Sequence, residues 1–266
     1  MSKIYAIANQ KGGVGKTTTA VNLASALGYF EEKVLLIDLD PQGNATTGSG
    51  IDKQFVEWSG VDVLLGDVSI QEAIQKTDGA GYDLLAANSE LTAAEVELMA
   101  VEDRFQRLST ALQEVSTEYS YVLIDCPPTL NILTLNAFVA SHGVIVPLQC
   151  EYYALEGLTA LMETMGRVQE TQNPGLRLQG IVRTMYDARN RLSVEVSEQL
   201  MSHFGDQVYE TVIPRNVTLA EAPSYGRPII HYAPSSRGAY AYVDLAAEIL
   251  ERAEKEVKQS ENGVDE

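Results

Sequence analysis

Hydrophobic and polar positions alternate along this chain in two repeating patterns. Short apolar runs rich in β-branched residues recur, and between them apolar residues return with a helical period. The short runs predict strands at Lys3–Asn9, Lys33–Asp38, Tyr82–Ala87, Tyr121–Asp125, Gly143–Leu148, Gln179–Thr184 and Val208–Val212. The longer stretches predict helices at Thr17–Tyr29, Thr92–Glu118, Leu130–Ala140, Leu155–Gln172, Ser193–His203 and Ala239–Lys258. This alternation is typical of an α/β fold with a doubly wound, mostly parallel sheet flanked by helices.

The pattern also indicates how the chain is divided into domains. The runs Val34–Ile37 and Val144–Val146 contain no polar residue, which predicts strands that are buried on both faces. No internal repeat or low-complexity linker interrupts the alternation, and a chain of 266 residues that is 45% hydrophobic can bury one large core. We therefore expect a single domain over residues 1–258, followed by a polar and frayed tail at 259–266.

A glycine- and lysine-rich segment separates the first predicted strand from the first predicted helix. It reads Asn9-Gln10-Lys11-Gly12-Gly13-Val14-Gly15-Lys16-Thr17-Thr18. In this context glycines let backbone N–H groups converge on phosphate oxygens, and the helix N-terminus adds the positive end of its dipole. Lys16 can then reach the β- and γ-phosphates, while the Thr17 hydroxyl can join a Mg²⁺ shell. The loop departs from the usual pattern at Gln10, where Gly is normal, and it carries an additional lysine, Lys11.

Two further predicted strands end in aspartate. Asp38 and Asp40 follow Val34–Ile37, and Asp125 follows another apolar run. Open α/β sheets place their sites at this carboxyl edge, where carboxylates can hold Mg²⁺ through water and orient an attacking water. Taken alone, each of these two strand ends could instead be a solvated turn. Together with the glycine-rich loop they predict a site for nucleotide phosphates and Mg²⁺, with metal-associated residues Thr17, Asp38, Asp40 and Asp125.

The combination resembles a known family. The segments Lys11–Thr18, Asp38–Thr46, Asp125–Pro128, Met185–Arg189, Ile213–Asn216 and Glu221–Gly226 are similar to motifs of the ParA/Soj-type partition ATPases, which belong to the MinD/ParA group of deviant Walker A proteins. The similarity extends from Lys3 to about Leu250. It implies a P-loop ATPase whose weak hydrolysis acts as a timer, stimulated by a ParB-like partner.

The resemblance also implies particular roles. ATP would hold two subunits in a sandwich dimer, in which Lys11 reaches the phosphates bound by the partner. Lys16 would be the P-loop lysine, and Asp40 would position the attacking water. Thr17 would bind Mg²⁺, with Asp38 and Asp125 supporting the metal through water. Pro214 and Asn216 would flank adenine, where an Asn side chain can offer both a donor and an acceptor.

In such a family the ATP-bound dimer binds double-stranded DNA without sequence preference. The chain holds seven arginines and no lysine from Arg177 to Arg237, and Arg189 stands where the family has a DNA-binding arginine. The chain departs from the family at Thr218, where a basic residue is common, so fewer phosphate contacts and a shallower salt dependence are expected. The candidate DNA-binding residues are Arg183, Arg189, Arg191, Arg215 and Arg227.

Composition bears on where the protein works. The formal net charge is −18 and only eight of the 19 basic residues are lysine, which suits a salt-rich cell, with an ordinary acidic cytosolic protein as the alternative. Cys126 and Cys150 predict buried thiols in a reducing compartment rather than a disulfide. The sequence shows neither a signal peptide nor a long apolar run, so we expect a cytoplasmic protein associated with the nucleoid.

Three alternatives share the same fold. A MinD-like membrane switch would need a basic amphipathic C-terminal helix, whereas Leu250–Lys258 carries mixed charges and few large apolar residues. The second alternative is an ATP-dependent enzyme or a metallocluster reductase. A cluster that bridges two subunits would need two suitably placed thiols per subunit, and Cys126, which directly follows Asp125, gives no case for ligation. A relative that positions some other cargo on the nucleoid is barely distinguishable, because its motor chemistry would be the same.

Overall fold

A computed structural model describes residues 2–262, and eight strands within that range form one sheet. The strands are β1 (Lys3–Ile7), β2 (Val34–Asp38), β3 (Ile74–Lys76), β4 (Asp83–Leu85), β5 (Tyr121–Asp125), β6 (Gly143–Gln149), β7 (Arg177–Tyr186) and β8 (Val208–Pro214). Their order across the sheet is β3-β4-β2-β5-β1-β6-β7-β8. Neighbouring strands are parallel except for β3 and β4. The carboxyl ends of the parallel strands therefore meet at one edge.

Helices connect the strands and lie on both faces of the sheet. They are α1 (Lys16–Tyr29), α2 (Asn44–Gly48), α3 (Gly60–Leu65), α4 (Ile70–Ala73), α5 (Leu91–Leu98), α6 (Arg107–Gln113), α7 (Ile132–Ala140), α8 (Ala154–Thr171), α9 (Arg191–Phe204), α10 (Val217–Glu221), α11 (Ile229–Tyr232) and α12 (Arg237–Asn262). Short 3₁₀ turns at Gly205–Gln207 and Ala222–Tyr225 complete the chain.

Alternate residues of the central strands supply two hydrophobic cores. Leu35 and Ile37 of β2 pack on one face with residues from α6, α7 and α8. Leu36 points to the other face and packs with residues from α1 and α12. Because successive strand side chains point in opposite directions, a continuous apolar strand covers both cores at once. The doubly wound, mostly parallel α/β fold predicted from the sequence is confirmed.

The predicted helix Thr92–Glu118 is wrong in one respect, because the chain forms α5 and α6 with a break between them. The cause is Asn136, a buried residue of α7. Its Nδ2 donates to the carbonyl oxygen of Arg104 at 2.7 Å, and its Oδ1 accepts from the N–H of Leu108 at 3.2 Å. A continuous helix would join those two backbone groups directly, so the inserted amide separates the two helices.

The structure differs from the prediction at one further strand and at the end of the last helix. Strand β3 pairs antiparallel with β4 over three residues, which is too short to leave a periodic pattern in the sequence. Helix α12 continues to Asn262, into the segment expected to be a polar tail, and residues 263–266 lie outside the described residues. Among the helices of residues 2–262, none has both the length and the apolar composition that crossing a bilayer requires.

Candidate nucleotide-binding site

The glycine-rich loop lies at the carboxyl edge of the sheet, between the central strand β1 and helix α1. Gly13 and Gly15 adopt left-handed conformations with φ of 74° and 90°, which residues with a Cβ rarely occupy. Gly15 is also the N-cap of α1, and no side chain caps that helix end. The first N–H groups of α1 are therefore left for an anionic ligand.

Side chains from distant strands hold this loop in place. Asn9 donates from Nδ2 to the carbonyl oxygen of Pro147 at 2.8 Å and accepts from the N–H of Lys11 at 2.9 Å. The Thr184 hydroxyl, at the end of β7, donates to the carbonyl oxygen of Val14 at 2.7 Å. Residues near the ends of β6 and β7 thus hold the loop in place.

The two lysines of the loop occupy different environments. Lys16 is buried, and its Nζ donates to the carbonyl oxygen of Lys11 at 3.3 Å. Burial lowers the pKa of Lys16, and the nearby carboxylates of Asp125 and Asp40 oppose that change. The Lys11 side chain is 43% exposed and forms an ion pair with Glu151, two residues beyond β6. Of these two lysines, Lys16 lines the cavity in front of the loop and Lys11 does not.

Asp38 shapes the loop that follows β2. Its Oδ2 accepts from both the N–H and the hydroxyl of Thr46 at 2.8 Å, and its Oδ1 accepts from the N–H of Asp40 at 3.1 Å. Burial raises the pKa of Asp38 to about 6, against the lowering effect of the Thr46 hydrogen bonds. These bonds position the loop that carries Asp40, and the metal support expected of Asp38 stays a prediction.

Asp125 is the neighbour of Asp38 in the register between β5 and β2. Both of its carboxylate oxygens are buried, and within residues 2–262 neither has a hydrogen-bond partner at normal distance. Burial and the charge of Asp38 raise the pKa of Asp125 well above its usual range, while the Thr17 hydroxyl and Lys16 act in the opposite direction. A buried acceptor left in this state fits the hydration shell of a divalent cation.

The described residues hold no group of three or more His, Cys, Asp or Glu side chains placed to bind a metal by themselves. A Mg²⁺ ion here would need phosphate oxygens and water to complete its shell, as this ion usually does. The Thr17 hydroxyl and the Asp125 carboxylate fit that arrangement, the first as a ligand and the second through water.

A cavity of about 770 Å³ opens in front of the loop, a size suited to a nucleotide. Of the residues predicted to bind the nucleotide or its metal, it is lined by Gly12, Gly13, Gly15, Lys16, Thr17, Thr18, Asp40, Pro214 and Asn216. Val14 is buried behind the loop, and Lys11 does not line the cavity. Sequence reasoning missed Met185 and Tyr242, which also line it, because neither belongs to a phosphate- or metal-binding motif.

Asn216 is held by the helix that follows it. Its Oδ1 accepts from the N–H of Leu219 at 3.1 Å, which makes Asn216 the N-cap of α10, and also from the Thr218 hydroxyl. A side-chain amide oxygen has two lone pairs. The expectation that Asn216 offers both a donor and an acceptor to adenine is therefore corrected: only its Nδ2 remains available.

The arginines predicted to bind DNA fall into three groups. Arg183 is only 7% exposed and donates to Ser197 Oγ and to the carbonyl oxygens of Tyr209 and Glu210, so its assignment to a DNA surface is wrong. Arg189 and Arg191 are exposed but form ion pairs, with Asp187 and Glu195 respectively. Arg215 and Arg227 are exposed at the surface, and Arg215 also lines the cavity.

The cysteines behave as the sequence suggests. Cys126 and Cys150 are buried and unpaired in the structure. Burial raises the pKa of Cys150 to about 11 and that of Cys126 further still. Both shifts favour the protonated thiol, as is usual for buried structural cysteines.

Comparison with known proteins agrees with this geometry. A family profile described as "AAA domain" matches residues 2–178. The sporulation initiation inhibitor protein Soj of Bacillus subtilis is 51% identical over 249 residues, covering 94% of this chain and 98% of that protein. The chromosome partitioning protein ParA of Caulobacter vibrioides is 51% identical over 252 residues and is covered to 94%, as is this chain.

Solved structures place the fold in the same group. Cobyrinic acid a,c-diamide synthase from Mycobacterium smegmatis, with bound ADP and magnesium, superposes with a TM-score of 0.84 at 38% identity, covering 96% of both chains. The cell division ATPase MinD of Pyrococcus furiosus gives a TM-score of 0.76 at 29% identity, covering 94% of this chain and 99% of that one. From its motifs, its fold and these relatives together, the chain belongs to the ParA/Soj family of P-loop ATPases.

Proposed function

We propose that this protein is an ATP-dependent dimerisation switch of chromosome or plasmid partition. The observation that carries the proposal is the position of Lys11. This lysine stands at the head of the phosphate loop but does not line the cavity of its own chain, and Glu151 holds its amine at a half-exposed position. Because Lys11 does not line the cavity of its own subunit, we infer that it contacts the ATP bound by a second subunit.

The described side chains support hydrolysis of ATP to ADP and phosphate at each site. Lys16 and the loop amides would bind the phosphates, and Mg²⁺ on the Thr17 hydroxyl would neutralise negative charge on their oxygens. Asp40 would orient the water that attacks the γ-phosphorus. Its Oδ1 accepts from the N–H of Gln42 at 3.0 Å, which fixes the direction of the carboxylate. Lys11 of the opposite subunit would add a cation to the transition state, and without it turnover would be slow.

Soj and ParA relatives are named for sporulation initiation and chromosome partitioning, and we extend a partition role to this chain. The ATP-bound pair would bind double-stranded DNA without sequence preference through Arg189, Arg191, Arg215 and Arg227. A ParB-like activator would stimulate hydrolysis and release the pair, so the protein would work in the cytoplasm on the nucleoid.

Helix α12 gives the physical argument against a MinD-like membrane switch. Leu245, Ile249 and Ala253 are buried, and the first two pack in the core shared with α1. The exposed side carries the ion pair between Glu251 and Lys255. The apolar face is thus already occupied, and the remaining face has both signs of charge, which anionic lipid does not attract.

A mixing experiment tests the switch. Lys11→Ala should still bind ATP but not hydrolyse it, and Asp40→Ala should bind ATP and pair but not hydrolyse it. When the two inactive variants are mixed, a heterodimer forms in which the Lys11→Ala site keeps its own Asp40 and receives Lys11 from the partner. ATPase activity should therefore reappear on mixing.

The control is Lys16→Ala, which should lose ATP binding and restore nothing when mixed with Asp40→Ala. If the Lys11→Ala and Asp40→Ala mixture stays inactive while both variants bind ATP, Lys11 does not act between subunits and the proposed switch is wrong.

A further inference from the structure

Arg189 is exposed and forms an ion pair. Its side chain is 90% exposed, yet Nε donates to Asp187 Oδ1 at 2.9 Å and Nη2 donates to Oδ2 at 2.8 Å. The backbone N–H of Arg189 also donates to Oδ1, at 3.0 Å. One carboxylate therefore accepts three hydrogen bonds from the residue two positions later. The two-pronged guanidinium contact is the geometry in which arginine binds carboxylates and phosphates most strongly.

The Asp187 carboxylate is influenced by two arginines. Arg189 holds the pKa of Asp187 at about 2, and the charge of Arg215 lowers it in the same direction. Asp187 therefore stays ionised at any pH at which the protein would bind DNA. A fixed negative charge beside these arginines repels a phosphate and neutralises the guanidinium that would attract it.

We propose that Asp187 sets the DNA affinity of this surface by competing with DNA phosphate for the guanidinium of Arg189. The inference rests on the proposed DNA-binding function and adds to it a determinant of affinity. On the Nε–Nη2 edge of Arg189, a phosphate can bind only by taking the hydrogens that Asp187 now holds. On the Nη1 side, a phosphate meets a guanidinium whose charge the carboxylate already neutralises. DNA binding thus either breaks an internal ion pair or gains less from Arg189, and the surface neutralises fewer phosphates than its exposed arginines alone would suggest.

The test uses Asp187→Asn. Asparagine has nearly the same shape and its Oδ1 can still accept from the Arg189 N–H, but it carries no charge. The ATP-bound protein is titrated into a fluorescent duplex of random sequence at a series of KCl concentrations, and anisotropy gives the dissociation constant. The variant should bind DNA more tightly than the wild type at low salt. The slope of log K against log salt should steepen by up to about 0.9 for each additional phosphate that a released Arg189 neutralises.

Two controls separate competition from a general loss of negative charge. Asp103→Asn makes the same change at another exposed aspartate, which pairs with Arg107 at 3.3 Å beside α6, and it should leave the slope unchanged. In the double variant Asp187→Asn with Arg189→Ala, the tighter binding should be lost. The guanidinium of Arg189, which the loss of the Asp187 charge makes available to DNA, is then absent.

The inference is overturned if the wild type binds DNA with ATP but Asp187→Asn binds no more tightly. It is equally overturned if Asp103→Asn tightens binding to the same extent, or if the tighter binding survives in the Arg189→Ala background. If neither the wild type nor Asp187→Asn is retained on DNA at any salt concentration, the proposed DNA-binding function fails and the inference fails with it. These two failures are distinguished by whether the wild type binds.

Discussion

At the residue scale, Thr218 acts on the nucleotide cavity through Asn216. Its hydroxyl donates to Asn216 Oδ1. The same oxygen accepts a hydrogen bond from the N–H of Leu219 in α10. The amide is thereby held with its oxygen toward the helix and its Nδ2 available to a base. Thr218 occupies the position where the family resemblance leads one to expect a DNA-binding cation, but its contact is with a residue of the cavity.

We predict that Thr218→Val weakens ATP binding about twofold to tenfold. Valine keeps the shape of threonine but removes the donor, and one hydrogen bond contributes about 0.5–1.5 kcal/mol. Isothermal titration calorimetry with ATP measures the change in dissociation constant. The matched control is Thr159→Val on α8, whose exposed hydroxyl bonds only to the Leu155 carbonyl oxygen at 2.9 Å. Equal ATP affinities of Thr218→Val and the wild type would show that Thr218 does not position Asn216.

At the element scale, the end of β7 joins three features of the site. Thr184 bonds to the phosphate loop, and Met185 lines the cavity with a left-handed backbone of φ 49°. Asp187 and Arg189 follow directly. A left-handed conformation is unusual for a residue with a long side chain and persists only where its surroundings enforce it. The strand end therefore connects the phosphate loop to the segment that carries Asp187 and Arg189.

Removing the Thr184 hydroxyl should weaken that connection. In Thr184→Val the buried carbonyl of Val14 loses its hydrogen bond, and an unsatisfied buried acceptor costs about 1–3 kcal/mol. For a chain of this size, each kcal/mol corresponds to about 2–4 °C in melting temperature. We expect a lower melting temperature without nucleotide and weaker ATP binding, both measured by differential scanning fluorimetry across an ATP titration.

Thr171→Val provides the comparison, because its hydroxyl is exposed and, among the described residues, bonds to the Arg167 carbonyl oxygen of its own helix. A melting temperature and an ATP affinity that are the same in Thr184→Val and Thr171→Val would contradict the proposed support of the loop by β7.

The elements that could be predicted from the sequence are those whose signal is local. The buried runs of β2 and β5 and the contiguous phosphate loop each carry their own pattern. The break between α5 and α6 could not be predicted, since it depends on the amide of Asn136, far from it in the sequence. Arg183 carries no local sign of burial, because its partners Ser197 and Tyr209 lie on other elements.

In the candidate site, too, the residues that could be predicted are those with a local sequence pattern. Its phosphate-binding and acidic residues were found because they stand in short motifs. Glu151 and Thr184 were missed because they contact the loop across sequence separations of 140 and 170 residues. Only the folded sheet brings those strand ends together.

At the scale of the whole molecule, a net charge of −18 opposes both folding and DNA binding. Like charges repel in the compact state, and the repulsion falls as salt shortens the Debye length from about 10 Å at 0.1 M to about 3 Å at 1 M. Contacts between arginine and phosphate weaken over the same range. Stability and DNA retention should therefore respond to salt in opposite directions.

We predict that the melting temperature of the nucleotide-free protein rises with KCl, steeply up to about 0.5 M and little beyond it, because screening is then nearly complete. Each kcal/mol of repulsion removed should add about 2–4 °C. DNA binding of the ATP-bound protein, measured in the same buffers, should fall throughout. Sucrose is the control, since it stabilises proteins without screening charge. A melting temperature that does not change with KCl would show that self-repulsion is unimportant here. A rise that continues into molar salt would instead support adaptation to a salt-rich cytoplasm.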